Sequence, residues 1–206
     1  MKGNNISEKI TIIPESGKKY FYGYPNKPVV VGVCYNGKQN FLPVAWNTGI
    51  SYHPFLYGVS IGTDRYSHEL LSKADSFTIN FVDFKDIKII RALGRSTGKE
   101  IDKIKEFDLS VSDAEKINSP VLDFAYCTFE CVKKNEILLG DHTLFVGEIV
   151  LIKIDKDAIG GEYETLNTEK ISPIIYLGID NYIALDKKSR TSLKNLPFHY
   201  KDGKPR

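Results

Sequence analysis

An antiparallel β-barrel flanked by a few short helices is the fold this sequence predicts, and three observations predict it. Short runs of β-branched and aromatic residues recur along the chain with turn-forming residues between them. Asn36-Gly37 separates two such runs, the strongest short-range hairpin signal there is. Helical periodicity surfaces only briefly, and no G-x-G-x-x-G follows a strand, which removes a doubly wound dinucleotide-binding sheet.

The elements follow in order. Residues 28–35 (PVVVGVCY) and 39–46 (QNFLPVAW) form the hairpin about Asn36-Gly37. The run FLYGVSI from Phe55 is a third strand, and SHELLSKA after it is a short helix with Ser67 as its cap and Glu69 in its first turn. SFTINFV from Ser76 is the fourth strand. In KDIKIIRAL the residues Ile87, Ile89, Ile90 and Leu93 give a helix one buried face, which Gly94 and Gly98 then end. AYCTFECVK from Ala125 and GDHTLFVGEIVLIKI from Gly140 are two more strands, the latter read as buried along its length. PIIYLG and NYIAL make a late hairpin, and residues 187–206 are a polar, lysine-rich tail.

At 206 residues, with 42% apolar and 26% charged residues, the chain suits one globular domain over residues 1–206. Its 28 basic and 26 acidic residues leave a net charge of +2 spread along the sequence, without the dense basic stripe of a nucleic-acid binder. No window approaches the ~18 apolar residues of a membrane span, and MKGNNISEKITIIPESG has no signal-peptide core, so a cytoplasmic protein without membrane attachment is expected. Cys34, Cys127 and Cys131 have no C-x-x-C spacing and read as small hydrophobes, with no disulfide framework and no metal site.

Four segments could carry chemistry. In NFLPVAWNTGISYHP the alternation sets Phe41, Pro43, Ala45 and Asn47 against Leu42, Val44, Trp46 and Thr48. It fits an ordinary barrel strand with Trp46 in the core, or a wall for a flat aromatic ligand with Asn47, Thr48 and the Gly49 amide as hydrogen-bond groups. In SIGTDRYSHELL, Arg65, the Ser67 hydroxyl and a helix N-terminus together suit a phosphate, although helix caps of this kind are common without a ligand. In GKEIDKIKEF, Lys103 lies among alternating charges of a solvated helix face. In GDHTLFV, Asp141 and His142 open an apolar strand, either as structural hydrogen-bonders or because the strand ends at a ligand. GRSTGKE is not a phosphate loop, since its glycines are one residue too close and Glu100 stands where Ser or Thr would hold magnesium.

Taken in order, NFLPVAWNTGIS, SIGTDRYSHELL, SFTINFV, GKEIDKIKE and GDHTLFVGEIV resemble the flavin reductase-like, FMN-binding split β-barrel family, in particular its flavoredoxin-type branch, over about residues 25–185. The resemblance implies a mainly β fold, a six-stranded antiparallel split β-barrel with short flanking helices. It implies FMN as cofactor, with Asn40, Trp46, Asn47 and Thr48 at the flavin, Ser67 and Arg65 at its phosphate, Lys103 and His142 matching the family's "DK" lysine and "GxH" histidine, and Tyr176 approaching the ring. Pro43 departs from the family pattern and suggests a strand edge or bulge, and Asn47 stands where relatives often carry threonine. The implied activity is an oxidoreductase that passes hydride or electrons from NAD(P)H or a donor protein through FMN to an acceptor, in a homodimer and with no catalytic side chain named. Two alternatives are an FMN-binding electron carrier without NAD(P)H activity and a cofactor-free barrel acting as a binding module.

Overall fold

A computed structural model describes residues 21–160 and 165–189. The main sheet has seven antiparallel strands: β1 (Val29–Tyr35), β2 (Lys38–Val44), β3 (Asn47–Tyr52), β4 (Phe55–Gly62), β5 (Ser76–Phe81), β8 (Cys127–Leu139) and β9 (His142–Ile154). Their hydrogen-bonded order is β2-β1-β5-β8-β9-β4-β3. Short pairs accompany it: β6 (Val111–Asp113) with β7 (Pro120–Leu122), β10 (Ile159–Gly160) with β11 (Thr165–Leu166), and β12 (Ile175–Gly178) with β13 (Asn181–Ile183). The helices are α1 (Tyr66–Lys73), α2 (Ile87–Arg95) and α3 (Lys103–Glu106). The mainly β, antiparallel split-barrel fold is the one expected, and the early and late hairpins fall where the sequence puts them.

The strand count rises to seven because residues 40–54 are not one strand. The ladder of β2 stops at Val44 and β3 starts at Asn47, so the chain bends at Ala45-Trp46 and leaves one edge of the sheet for the other. Donation from the Ser60 amide to the Trp46 carbonyl at 2.8 Å ties that crossing to β4. The sheet thus curls until its two edge strands are chain neighbours with no ladder between them, and this gap is the split. As an edge-strand residue, Pro43 costs the sheet no second ladder.

Strand β1 is buried on both faces, which explains its unbroken valines. Val29, Val31 and Val33 enter a core with Val59, Ile61, Phe77, Ile79 and Phe145, roofed by Leu70 and Leu71 of α1. Val30 points the other way into a second core with Phe41, Leu122, Ile174 and the inner face of α2, Ile90 and Leu93. Fully burying one such side chain stabilises the fold by roughly 1.5–3 kcal/mol. The turn at Asn36 (φ 48°) and Gly37 (φ 74°) is left-handed at both positions, as a tight hairpin requires.

Four expectations need correction. Ser67 lies inside the first turn of α1, where Arg65 is the N-cap residue and no side chain caps the helix. Helix α2 runs through Gly94 to Arg95. Burial of β9 is confined to its first half, with Val150, Ile152 and Ile154 exposed. Lys103 is no solvated residue but 3% exposed, at the start of a four-residue helix.

Candidate functional site

The bend that moves the chain between sheet edges also places Trp46 on the rim of a cleft. Its indole N–H donates to the Tyr24 hydroxyl at 3.0 Å, and its ring lies 4.7 Å from that of His142 at an interplanar angle of 37°. Tyr24 packs on Phe21 at 5.2 Å and on Tyr176 at 5.7 Å, and Tyr176 stacks on Tyr182 at 5.0 Å. The result is a nearly continuous aromatic wall around a cavity of about 360 Å³, whose lining also includes Leu42, Ile61, Gly62 and Arg65. His142 stands there because it is the first residue of β9, and Nδ1 is 2.8 Å from Oδ1 of the exposed Asp141. That hydrogen bond and the imidazole's charge hold the Asp141 carboxyl below its ordinary range.

A smaller polar pocket of about 110 Å³ adjoins the cleft and shares Leu42, Arg65 and Gly94 with it. Three of its polar residues are almost wholly enclosed: Asn40 at 2%, Ser67 at 1% and Lys103 at 3% exposure. Asn40 comes from β2, Ser67 from the first turn of α1 and Lys103 from α3, so three elements converge. Asn40 Nδ2 donates to Ser67 Oγ at 2.7 Å. Lys103 Nζ donates to the carbonyls of Phe41 at 3.0 Å and Leu93 at 2.7 Å, and one of its three N–H groups remains for another partner. Desolvation, then the charge of Arg65, lowers its pKa to about 8.

The pocket has unused hydrogen-bonding capacity. Asn40 Oδ1 is buried without a partner, a state that costs about 1–3 kcal/mol. If the amide turns over, Ser67 donates to Oδ1 and Nδ2 becomes a donor where the orphaned acceptor stood. With the amide as it stands Ser67 keeps its O–H for a bound anion, and with the amide turned over Asn40 Nδ2 takes that role; Lys103 donates in either case and Arg65 stands at the mouth, so the residues present fit a phosphate. Room for it depends on Gly98, where a Cβ would lie 2.6 Å from Asn40 Oδ1.

Of the nine residues singled out from the sequence, seven therefore border two joined cavities: Asn40, Trp46, Arg65, Ser67, Lys103, His142 and Tyr176. Asn47 and Thr48 do not. They face a neighbouring cavity of about 570 Å³ beyond Trp46, which shares Ala45, Trp46 and Ser60 with the cleft. Asn47 is engaged within the protein, its Nδ2 donating to the Lys27 and Val44 carbonyls and its Oδ1 accepting from Tyr57 at 2.6 Å. Thr48 Oγ1 donates to the Gly49 carbonyl. The bend at 45–46 is the physical reason, since it turns these two residues onto another strand.

Sequence reasoning missed Phe21, Tyr24, Gly94, Thr97 and Gly98. The aromatic cluster FYGY at 21–24 was a usable signal, and so was GRSTGKE, which is no phosphate loop yet lines the polar pocket. Among the described residues no group of His, Cys, Asp and Glu could hold a metal ion, and no helix is long and apolar enough to cross a membrane. The three cysteines are buried and free, and burial pushes Cys127 to about 11 and Cys131 to about 12, leaving unreactive thiols.

An FMN-binding protein from Thermus thermophilus, solved with bound 1-cyclohex-2-enone, is 29% identical with a TM-score of 0.74, covering 90% of this chain and 99% of that one. Flavoredoxin from Methanosarcina acetivorans shares the fold at 21% identity and a TM-score of 0.78, covering 92% and 97%. An uncharacterised protein of Archaeoglobus fulgidus is 30% identical over 132 residues, 64% of this chain and 73% of its own length. The flavin reductase like domain matches residues 21–176, and the chain belongs to that family.

Proposed function

We propose that the chain binds FMN noncovalently and works as an oxidoreductase, taking hydride or electrons from NAD(P)H or a donor protein and delivering them to an acceptor such as free flavin, ferric iron or another redox protein. One observation carries this reading: an aromatic wall and a buried pocket of unspent hydrogen-bond donors lie in adjoining cavities that share Leu42, Arg65 and Gly94. An amphipathic ligand with a flat ring at one end and a phosphate at the other matches that division.

Trp46, His142 and Tyr176 would flank the ring, and Asn40, Ser67, Lys103 and Arg65 would hold the phosphate. The flavin, when bound, supplies the redox chemistry, and the protein supplies binding, orientation and electrostatics. No side chain is needed to move a proton in hydride transfer to a flavin, so none is assigned as acid or base. The working form is proposed to be a homodimer.

An absorption spectrum of the purified protein, before and after incubation with FMN and gel filtration, tests the reading. A flavin band that co-elutes with the protein is expected, and a protein colourless after both steps would overturn it in favour of a cofactor-free binding module. Steady-state NAD(P)H oxidation by the loaded protein then separates an enzyme from a carrier reduced only by another protein.

A further inference from the structure

Helix α2 presents two faces. Ile90 and Leu93 are buried on one, while Arg91 and Arg95, four residues apart, share the other. Opposite them stands the turn of the late hairpin, Gly178-Ile179-Asp180-Asn181, in which Ile179 has φ 49° and Asp180 φ 58°. A left-handed conformation costs a residue with a Cβ roughly 1–2 kcal/mol. Ile179 is 64% exposed, so its side chain recovers little of that by burial. What the turn achieves is the placement of one carboxylate oxygen, Asp180 Oδ2, which accepts from Arg91 Nε at 3.3 Å and from Arg95 Nη2 at 2.7 Å.

One carboxylate facing two guanidinium groups leaves a positive charge in excess. The pair opens on a further cavity, of about 290 Å³, where Arg65 adds another cation and Tyr176 and Tyr182 add a flat wall. This cavity shares Pro43, Ala45, Arg65, Gly94 and Tyr176 with the aromatic cleft. The two spaces are continuous, so a molecule whose reacting ring sits in the cleft has a route for an anionic tail toward Arg91 and Arg95. The polar pocket around Lys103 meets both spaces at Arg65 and Gly94, and with Asn40, Ser67 and Lys103 almost wholly buried it is the better enclosed phosphate site. The arginine cavity is thus left for a second ligand.

We propose that Arg91 and Arg95 seat a phosphate of a nicotinamide dinucleotide donor, with Asp180 holding the two side chains in position until that phosphate displaces it. This rests on the function proposed above and names the site of its donor. Guanidinium forks match phosphate oxygens geometrically, and a phosphate offers several oxygens where Asp180 offers one to both arginines. The aromatic pair beside them suits the ribose or base of the same molecule.

The test uses the FMN-loaded full chain, its Arg91→Ala/Arg95→Ala double variant and an Asp180→Asn variant. Equilibrium dialysis against NADP+ and NAD+ is read alongside KM and kcat for NADPH and NADH. The double variant is expected to bind at least tenfold more weakly and to raise KM by a similar factor with kcat within about twofold, while Asp180→Asn binds several-fold more tightly. A loss confined to the NADP forms places the 2′-phosphate at the arginines, and a loss shared by both places the pyrophosphate there; either result supports the site. Unchanged binding in the double variant overturns it, as does failure of wild type to bind either dinucleotide. So does loss of FMN from the double variant with its melting temperature intact, which would give the arginines to the flavin. If wild type binds NADP+ but oxidises no dinucleotide, the enzymatic reading fails while the binding site stands.

Discussion

Lys103 decides more of the site's chemistry than its neighbours do, because it is a cation held at 3% exposure by two backbone carbonyls. Its pKa, lowered to about 8 from 10.5 by desolvation, gives two pH effects of opposite sign. Between about 8 and 10.5 the unfolded chain holds a proton that the folded chain has lost, so this group makes stability rise with pH across that window. Over the same window the pocket loses its charge, so affinity for the FMN phosphate should fall. Fluorescence titration with FMN and riboflavin at pH 7 and pH 9.5 checks this: FMN is expected to weaken several-fold relative to riboflavin, and Lys103→Met should abolish the pH dependence. A phosphate monoester is already dianionic above pH 7, which assigns the change to the lysine. Ser67→Ala with Arg65→Ala should weaken FMN by roughly tenfold to a hundredfold, the worth of one or two charge-assisted hydrogen bonds, and leave riboflavin nearly unaffected. Equal losses for both ligands would remove these residues from the phosphate site. Lys103 also shows why part of the site was illegible. Alternating charges at helical spacing describe a solvated face, and only the fold supplies the carbonyls of Phe41 and Leu93 that let one of those charges turn inward.

Single elements act on the site through their backbones, and the loop between α2 and α3 does so through Gly98. A Cβ there would stand 2.6 Å from Asn40 Oδ1 and 2.8 Å from the Tyr66 ring. Gly98→Ala must therefore push Asn40 away from Ser67. FMN affinity should fall about tenfold or more while the melting temperature drops by only a few degrees, and isothermal titration with scanning calorimetry would show both. An unchanged FMN affinity would mean that the polar pocket does not hold the phosphate. Elements whose cause is local were readable in the sequence: Asn36-Gly37 dictates its hairpin, and the β-branched run of β1 marks a strand. The division of residues 40–54 was not readable, because hydrophobic alternation continues through Ala45 and Trp46. What ends β2 is the exhaustion of β1 as a partner at Val29↔Val44, and what starts β3 is pairing with β4 at Asn47↔Val59. Both facts are long-range, and they put Asn47 and Thr48 in the neighbouring cavity beyond Trp46. The seven residues that border the cleft and the polar pocket were reached through the order of motifs, which retains spacing information that periodicity discards.

Across the whole molecule, curling one sheet until its edges become chain neighbours leaves strand ends that overrun the core. Ile152 pairs with Phe129 and Ile154 with Cys127, and directly opposed residues in an antiparallel ladder point to the same side. Phe129 packs against the first core and Cys127 belongs to it, yet Ile152 is 52% and Ile154 39% exposed. The core side of β9 therefore continues past the core. Val150, the extra residue where the β8–β9 register shifts between Glu130↔Leu151 and Cys131↔Ile149, adds a third exposed apolar side chain at 42%. Contiguous apolar surface on a strand is what a second copy of the same chain would cover, and a net charge of only +2 puts little repulsion between copies. Light scattering after gel filtration at micromolar concentration should give twice the 23.3 kDa chain mass. Ile152→Glu should return the monomer mass with the far-ultraviolet dichroism of the wild type, because a half-exposed side chain adds little to the fold that surrounds it. A wild-type monomer at that concentration would refute the homodimer. A dimer that survives both Ile152→Glu and Ile154→Glu would place the interface on another face of the barrel.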